Sequence, residues 1–223
     1  MASTARETAF LLAKPERRLL VAIASRLPKA MTSNHLTVVG AAGALGAGLT
    51  YSFSGQHAEW LWVASSMLVV NWFGDSLDGT LARVRNAERP RYGYYLDHIV
   101  DAFSTSAIGI GIGLSPFVAL PLALCLVVVY LTLSINVYLE SHVFGVFELG
   151  YGRIGPTEVR IILVMANTLL VSASGTSRDV AWVVANAVVG VVSLLMLAAL
   201  ASRFGRNLRR LAEMEPAGRV RSG

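Results

Sequence analysis

Apolar segments long enough to cross a lipid bilayer recur along the 223-residue chain. Hydrophobic residues make up 54% of the sequence and charged residues 15%, a balance typical of an integral membrane protein rather than a soluble globule. A transmembrane helix needs roughly 20 apolar residues, so the chain accommodates about six of them. We therefore expect an all-α fold, an integral membrane bundle of six transmembrane helices.

The positions of the apolar runs predict where these spans begin and end. A single transmembrane domain is expected over residues 34–204, with a basic cytoplasmic tail over 205–223. The six predicted spans are 34–53, 58–86, 92–114, 116–143, 156–173 and 178–204.

Residues 1–33 are expected to form an amphipathic juxtamembrane helix. Basic residues are interspersed there with Leu12, Leu19, Leu20 and Leu27 at helical spacing, as in helices that lie on an anionic membrane surface. A soluble helix packed against the bundle would show the same pattern. The charged residues also interrupt any signal-peptide core, so we expect no cleaved leader.

The positions of lysine and arginine predict the orientation in the membrane. Of the 19 basic residues, all but Arg178 lie in or next to the N-terminal segment, the second and fourth connections, or the tail. The positive-inside rule places these segments, and both termini, in the cytoplasm. The net charge of +5 follows from this asymmetry, so we expect membrane lipids and no nucleic acid as partners. The single Cys125 excludes an intramolecular disulfide and a thiolate metal cluster.

Four aspartates lie at the ends of the second and third spans: Asp75, Asp78, Asp97 and Asp101. On insertion scales, one carboxylate in hydrocarbon costs about 2.5–3.5 kcal/mol, and four together repel one another. Their charge must therefore be neutralised, and hard oxygen ligands suit Mg²⁺, Ca²⁺ or Mn²⁺. The sequence predicts a divalent-cation site on the cytoplasmic side.

The spacing of the aspartates places each pair on one face of its helix. Asp75 and Asp78 are spaced i, i+3, and Asp97 and Asp101 are spaced i, i+4. The short connection makes the two helices antiparallel neighbours, so the four carboxylates can converge. Two divalent cations, Mg²⁺ or Mn²⁺, about 3.5–4 Å apart would fill such a site, as in two-metal phosphoryl transfer.

Small residues and one arginine accompany the aspartates. Gly79, Ala82 and Gly93 keep side-chain bulk away from the site, which would admit a bulky ligand beside the metals. Arg83 provides a guanidinium on the same rim, which is suited to a phosphate.

These residues together resemble the signature of the CDP-alcohol phosphotransferase (CDP-alcohol phosphatidyltransferase) family. The pattern Asp-x-x-Asp-Gly-x-x-Ala-Arg, followed by Gly-x-x-x-Asp-x-x-x-Asp, is complete within residues 75–101. One residue more than in the commonest form separates Arg83 from Gly93. We expect this residue to change the loop and to leave both helical stripes intact.

The resemblance implies a reaction and a role in it for each residue of the motif. A substituted phosphoryl group would pass from a CDP-alcohol to an acceptor hydroxyl, with release of CMP, in phospholipid biosynthesis. Asp75, Asp78 and Asp97 would be metal ligands, and Asp101 a further ligand or the general base, so that Asp97 and Asp101 are the implied catalytic pair. The implied CDP-binding residues are Asp78, Gly79, Ala82, Arg83 and Gly93.

Acceptor binding is expected from polar residues near the same face. Asn136 and Glu140 form an i, i+4 pair on the fourth span, and Glu140 is a second candidate for the general base. The remaining candidates are His98, Arg153, Glu158 and Arg160. Structural explanations compete with each role, since the arginines could anchor the chain at the membrane surface and His98 could bond a neighbouring helix.

The identity of the two substrates stays open. Asp97-His98 and the segment 155–158 resemble parts of the choline and ethanolamine phosphotransferases, which indicates a water-soluble CDP-alcohol and a lipid acceptor. The small size of the chain instead matches bacterial members that use CDP-diacylglycerol and a polar alcohol, and it indicates a bacterial inner membrane. The resemblance also implies a homodimer.

A cation-coupled transporter is the alternative function, since intramembrane carboxylates also line ion paths. A transporter would not require Gly79, Ala82 and Arg83 at fixed offsets from the aspartates. Its charges would also be spread across the bilayer, whereas all four aspartates here are expected near one face.

Overall fold

The computed structural model describes residues 12–145, 155–172 and 178–215, which form seven helices and no strand. Their bounds are α1 Ala13–Ala24, α2 Ser33–Phe53, α3 Trp60–Val84, α4 Pro90–Leu114, α5 Leu120–Phe144, α6 Pro156–Ser172 and α7 Arg178–Met214. The all-α prediction is thereby confirmed for these ranges.

Within the described ranges, three helices are long and apolar enough to cross a membrane: Ser33–Phe53, Leu120–Phe144 and Asp179–Met214. Helices α3 and α4 have 25 residues each, but the aspartates within them make them less apolar. Helix α6 has 17 described residues. The chain is an integral membrane protein with helical spans, and the full number of six spans stays a prediction.

Proline and polar side chains set several of the helix boundaries. Helices α4 and α6 begin at Pro90 and Pro156, where proline fits because the first turn leaves its backbone N–H groups unbonded. Helix α2 begins after Thr32, whose hydroxyl accepts the backbone N–H of His35 at 3.3 Å. The connection between α3 and α4 turns at Asn86, which has a φ of 51°. Helix α7 continues to Met214, so the first part of the predicted tail is helical.

The described part of the N-terminal segment, helix α1, packs on the bundle through one face. Leu20 and Ala24 are buried against Leu36, Leu77 and Leu81. The basic residues of α1 lie on its exposed side. Helix α1 is therefore amphipathic and rests on α3.

Helix α2 lies at the centre of the bundle and contacts both α3 and α4. Where α2 crosses α3, a Cβ on Gly74 would lie 2.2 Å from the backbone N of Gly40. Where it crosses α4, a Cβ on Gly111 would lie 2.2 Å from the carbonyl oxygen of Gly48. These crossings require glycine, because the helix backbones are in direct contact. Gly111 of α4 thus packs within the protomer.

A buried polar network fixes α6 against α2 and α3. The Asn167 amide donates to the Tyr51 hydroxyl and to Ser65 Oγ, each at 3.0 Å. Asn167 and Tyr51 are both 3% exposed, so the bonds avoid the cost of unpaired polar groups. The position of α6 matters because its first turns reach the acidic region of α3.

Candidate active site

Helices α3 and α4 bring three of the four predicted aspartates together. Asp75 lies on α3, and Asp97 and Asp101 lie one turn apart on α4. Each offers one carboxylate oxygen, and these oxygens all lie within 4.8 Å of one another. We call Asp75, Asp97 and Asp101 the carboxylate cluster. Its formation follows from the stripe on each helix and from the packing of both helices on α2.

Asp78, the fourth aspartate, lies beside the cluster. It shares a groove with Asp75 and Asp97, but its carboxylate is engaged elsewhere. One oxygen accepts the Thr37 hydroxyl of α2 at 2.6 Å, and the other accepts the backbone N–H of Gly79. The sequence motif does not indicate Thr37, because this partner of Asp78 lies on a different helix.

Arg160 reaches the carboxylate cluster from α6. Its Nη2 lies 2.7 Å from Asp75 Oδ2, and its Nε donates to Asn71 Oδ1 at 2.8 Å. Asn71 is 1% exposed and also donates to the Gly40 carbonyl at 3.0 Å. One guanidinium thus partly neutralises three carboxylates. Arg160 was predicted near an acceptor, whereas the role of Asn71 as its partner was not foreseen.

Among the predicted CDP-binding residues, Asp78 lines the groove. The other four do not line it, and we call them the rim: Gly79, Ala82 and Arg83 on α3 and Gly93 on α4. Arg83 folds back over Gly79, where an added Cβ would lie 3.5 Å from Arg83 Nη1. Its Nη2 also donates to Thr80 Oγ1 at 3.2 Å. Ala82 is partly buried, and Gly93 is exposed with open space around its Cα. The rim is therefore open beside Gly93 on α4, and it has the positively charged guanidinium of Arg83 on α3.

His98 lies in an aromatic stack between α4 and α5. Its ring centroid is 4.1 Å from that of Tyr94 and 4.3 Å from that of Tyr138. Its Nδ1 is 3.6 Å from Asp97 Oδ2. The imidazole therefore connects a residue of the carboxylate cluster to the wall formed by α5.

A second cavity, of about 160 Å³, opens between α4 and α5. We call it the α4–α5 cavity. It is lined by Asp101, Ala102, Tyr130, Leu131, Ser134, Ile135 and Tyr138. Asp101 therefore belongs both to the carboxylate cluster and to this cavity. The α5 residues that line this cavity belong to no motif of the sequence and were not predicted as site residues.

Asn136 and Glu140 face α7 in a buried ionic network. The Glu140 carboxylate accepts Asn136 Nδ2 and Arg203 Nε at 2.7 Å each. It also contacts Arg203 Nη2 and Asn207 Nδ2. Glu140 and Arg203 are each 8% exposed. Glu140 lines neither the groove of Asp78 nor the α4–α5 cavity.

Glu158 lies in the first turn of α6. Its two oxygens accept the backbone N–H groups of Leu12 at 3.0 Å and Gly155 at 2.9 Å. It therefore joins the segment before α1 to the first turn of α6. Arg153, the other predicted acceptor residue of this region, lies outside the described residues.

The carboxylate cluster has the donor set that a hard divalent cation requires. Carboxylate oxygens are the preferred ligands of Mg²⁺ and Mn²⁺, and three of them converge within 4.8 Å. The single guanidinium of Arg160 leaves the cluster with excess negative charge. The residues present therefore fit a divalent metal site.

The fold and this acidic site define a helical membrane protein whose charged centre lies between two of its longest helices. The CDP-alcohol phosphatidyltransferase family profile matches residues 30–198, which is most of the chain. The chain belongs to this family. A search among curated proteins found no match.

Membership of the family establishes the general chemistry. CDP-alcohol phosphatidyltransferases are transferases of lipid synthesis that act on a CDP-alcohol donor and an alcohol acceptor. The family uses divalent cations, which agrees with the donor set of the carboxylate cluster. The matched range includes α2 to α6 and α7 up to residue 198.

Proposed function

We propose that the protein transfers a substituted phosphoryl group from a CDP-alcohol to an acceptor hydroxyl and releases CMP, using two divalent cations. The observation that carries this proposal is the convergence of Asp75, Asp97 and Asp101 within a chain of this family. The aspartates keep their helical spacing on α3 and α4, which supports the proposal. The connection between the two helices runs from Val84 to Pro90 and does not interrupt either set of aspartates.

Asp75, Asp97 and Asp101 would hold the cations, and Asp78 would join them by turning away from Thr37. When bound, Mg²⁺ or Mn²⁺ would neutralise the diphosphate and the developing charge on the leaving CMP. Arg83, which folds over Gly79, would bind the diphosphate at the rim, where Gly79 and Gly93 leave room, since a guanidinium matches phosphate oxygens.

Asp101 is the general base of this proposal. The acceptor oxygen forms a bond to the phosphorus farther from cytidine, and the bond from that phosphorus to the bridging oxygen breaks. The proton of the acceptor hydroxyl passes to the Asp101 carboxylate, and CMP leaves with the bridging oxygen. A carboxylate within reach of the hydroxyl can perform this proton transfer.

CMP release from the purified full-length protein tests the proposal. With a CDP-alcohol, Mg²⁺ or Mn²⁺ and an acceptor panel, Asp97→Asn and Asp101→Asn should each abolish CMP formation while the protein still folds. Asp179→Asn, at the start of α7, is the matched control and should retain activity. Near-normal turnover in either site variant would refute the assignment. No CMP from wild type with any pairing would favour the cation-coupled transporter instead.

We also propose that both termini and the carboxylate cluster face the cytoplasm of a bacterial inner membrane. The support is the near-complete segregation of basic residues. In a Cys125→Ser background, single cysteines at the exposed Gln56 and Arg89 should react from opposite faces. Equal labelling of both from one face would contradict this orientation.

A homodimer is the oligomeric state that we propose from the family resemblance. The molar mass of the detergent-solubilised protein, measured by light scattering, should equal two chains. A mass of one chain across the working concentration range would exclude it.

A further inference from the structure

Asp101 joins two spaces that are otherwise lined by different residues. On one side its carboxylate lies with those of Asp75 and Asp97. On the other side it forms part of the wall of the α4–α5 cavity. A molecule in this cavity therefore reaches the proposed general base directly, without passing through the groove of Asp78.

The α4–α5 cavity lies at membrane depth. Its lining on α5 runs from Tyr130 to Tyr138, and α5 ends at Phe144. At a rise of 1.5 Å per residue, this lining lies roughly 9–21 Å from the end of the helix. Because α5 is one of the helices long and apolar enough to cross the membrane, the cavity lies alongside hydrocarbon rather than water.

The outer wall of the cavity is open and largely apolar. Ile135 is 54% exposed and Tyr130 is 38% exposed on the outer surface of the bundle. At this depth the medium that meets them is the bilayer, so a molecule can enter from the side. A water-soluble alcohol would have to leave water to use this route, whereas a lipid would not.

The polar groups of the cavity suit an uncharged alcohol. Tyr130, Ser134 and Tyr138 line it together with Asp101, and the Ser134 hydroxyl donates to the Tyr130 carbonyl at 3.0 Å. Its described lining contains no lysine, arginine or histidine. A phosphorylated or carboxylated acceptor would find no counter-cation in the lining itself, whereas Arg160 and the proposed metal ions lie on the carboxylate-cluster side of Asp101. A neutral hydroxyl finds donors and acceptors of the right kind.

We propose that the α4–α5 cavity admits a membrane-embedded acceptor with one free hydroxyl, of the diacylglycerol type. This inference rests on the proposed function and names the class of its second substrate. The hydroxyl would give its proton to Asp101 as its oxygen bonds to the donor phosphorus. The inference pairs this acceptor with a small, water-soluble alcohol on the CDP donor, whose diphosphate would be held at the rim near Arg83.

A donor-by-acceptor panel separates this inference from the proposed function. In nanodiscs, CDP-ethanolamine or CDP-choline with diacylglycerol should release CMP. CDP-diacylglycerol with serine, glycerol phosphate, inositol phosphate or choline should release far less. The opposite preference would overturn the lipid-acceptor inference and leave the proposed function intact. CMP release from no pairing would overturn both.

Filling the α4–α5 cavity provides the second test. Ser134→Phe should raise the KM for diacylglycerol about tenfold or more, since apolar pockets discriminate at this level per methylene group. The KM for the CDP-alcohol should stay unchanged. Ile135→Trp, at the exposed edge of the α4–α5 cavity, should also raise the KM for diacylglycerol, with little risk to folding.

Thr132→Phe is the matched control for Ser134→Phe. Thr132 lies on the same helix, is exposed, and makes the same type of bond to the carbonyl four residues earlier, at 2.8 Å. A diazirine-bearing diacylglycerol should label α5 in wild type and Thr132→Phe, and should lose this labelling in Ser134→Phe. Equal labelling and equal KM values in all three proteins would overturn the inference.

Discussion

Arg160 of α6 donates to Asp75 of α3 at 2.7 Å, so a helix outside the sequence motif supplies a charge to the carboxylate cluster. The two side chains are 14% and 20% exposed, and Asn71 orients the guanidinium through its Nε. The start of α6 thereby contributes to the electrostatics of a site whose carboxylates all come from α3 and α4.

Replacing Arg160 should destabilise the protein most when metal is removed. In Arg160→Gln, Asp75 loses its counter-charge beside Asp97 and Asp101, and a hydrogen bond to a charged group is worth about 1.5–3 kcal/mol. We expect a loss of this size in the free energy of unfolding with a chelator present. Mg²⁺ or Mn²⁺ should narrow the difference from wild type, because a bound cation replaces the lost charge.

Arg206→Gln is the control for the Arg160 prediction. Arg206 is exposed on α7 and bonds only its neighbour Ser202 among the described contacts, so its loss should change stability little. Thermal unfolding of all three proteins, with and without metal, gives the comparison. An Arg160→Gln deficit of the same size under both conditions would show that the Arg160–Asp75 pair acts independently of the metal.

Metal affinity should depend on each aspartate of the motif. Mn²⁺ binding, measured by electron paramagnetic resonance, should weaken at least about tenfold in Asp75→Asn and Asp97→Asn. Asp78→Asn should also weaken binding if its carboxylate turns from Thr37 to the metal. Asp179→Asn should bind as wild type does. Wild-type Mn²⁺ affinity in Asp78→Asn would show that Asp78 does not bind the metal and only accepts the bonds from Thr37 and Gly79.

The sequence predicts features that depend on one helix and fails for those that depend on two distant ones. Pro156 and the apolar runs predict most helix boundaries closely, because the signals are local, but α7 continues to Met214, well beyond the predicted end at residue 204. The convergence of Asp75 with Asp97 was predicted, but its cause was only partly foreseen: α3 and α4 both pack on α2 and contact each other little. The bond of Thr37 to Asp78, and the α5 wall facing Asp101, depend on how helices rotate about their axes. Single-sequence periodicity does not specify that rotation.

Glu16 illustrates the same difference, because its partners are distant in sequence. Its Oε1 accepts Trp72 Nε1 and Thr157 Oγ1 at 2.7 Å each. Trp72 precedes Asp75 on α3, and Thr157 precedes Arg160 on α6. Glu16 thus holds α1 to both helices that form the Arg160–Asp75 pair.

Removing the Glu16 carboxylate should loosen α1. In Glu16→Ala we expect a loss of about 1.5–3 kcal/mol in the free energy of unfolding, because Trp72 and Thr157 lose a charged acceptor. Amide hydrogen exchange should accelerate across Ala13–Ala24. The exposed Glu213 on α7 is the control, and Glu213→Ala should leave both measurements unchanged. Unaltered exchange in Glu16→Ala would show that apolar packing alone holds α1.

The Glu140–Arg203 pair should be structural rather than catalytic, because Asn136, Arg203 and Asn207 already engage its carboxylate. In Glu140→Leu, Arg203 stays buried without its counter-charge, which typically costs about 3–5 kcal/mol. The double variant Glu140→Leu, Arg203→Met should recover most of this loss, because apolar residues then replace the whole pair. Thermal unfolding measures the stability, and the acceptor KM of the double variant should match that of wild type. A large rise in that KM with stability restored would instead support the predicted role of Glu140 in acceptor binding.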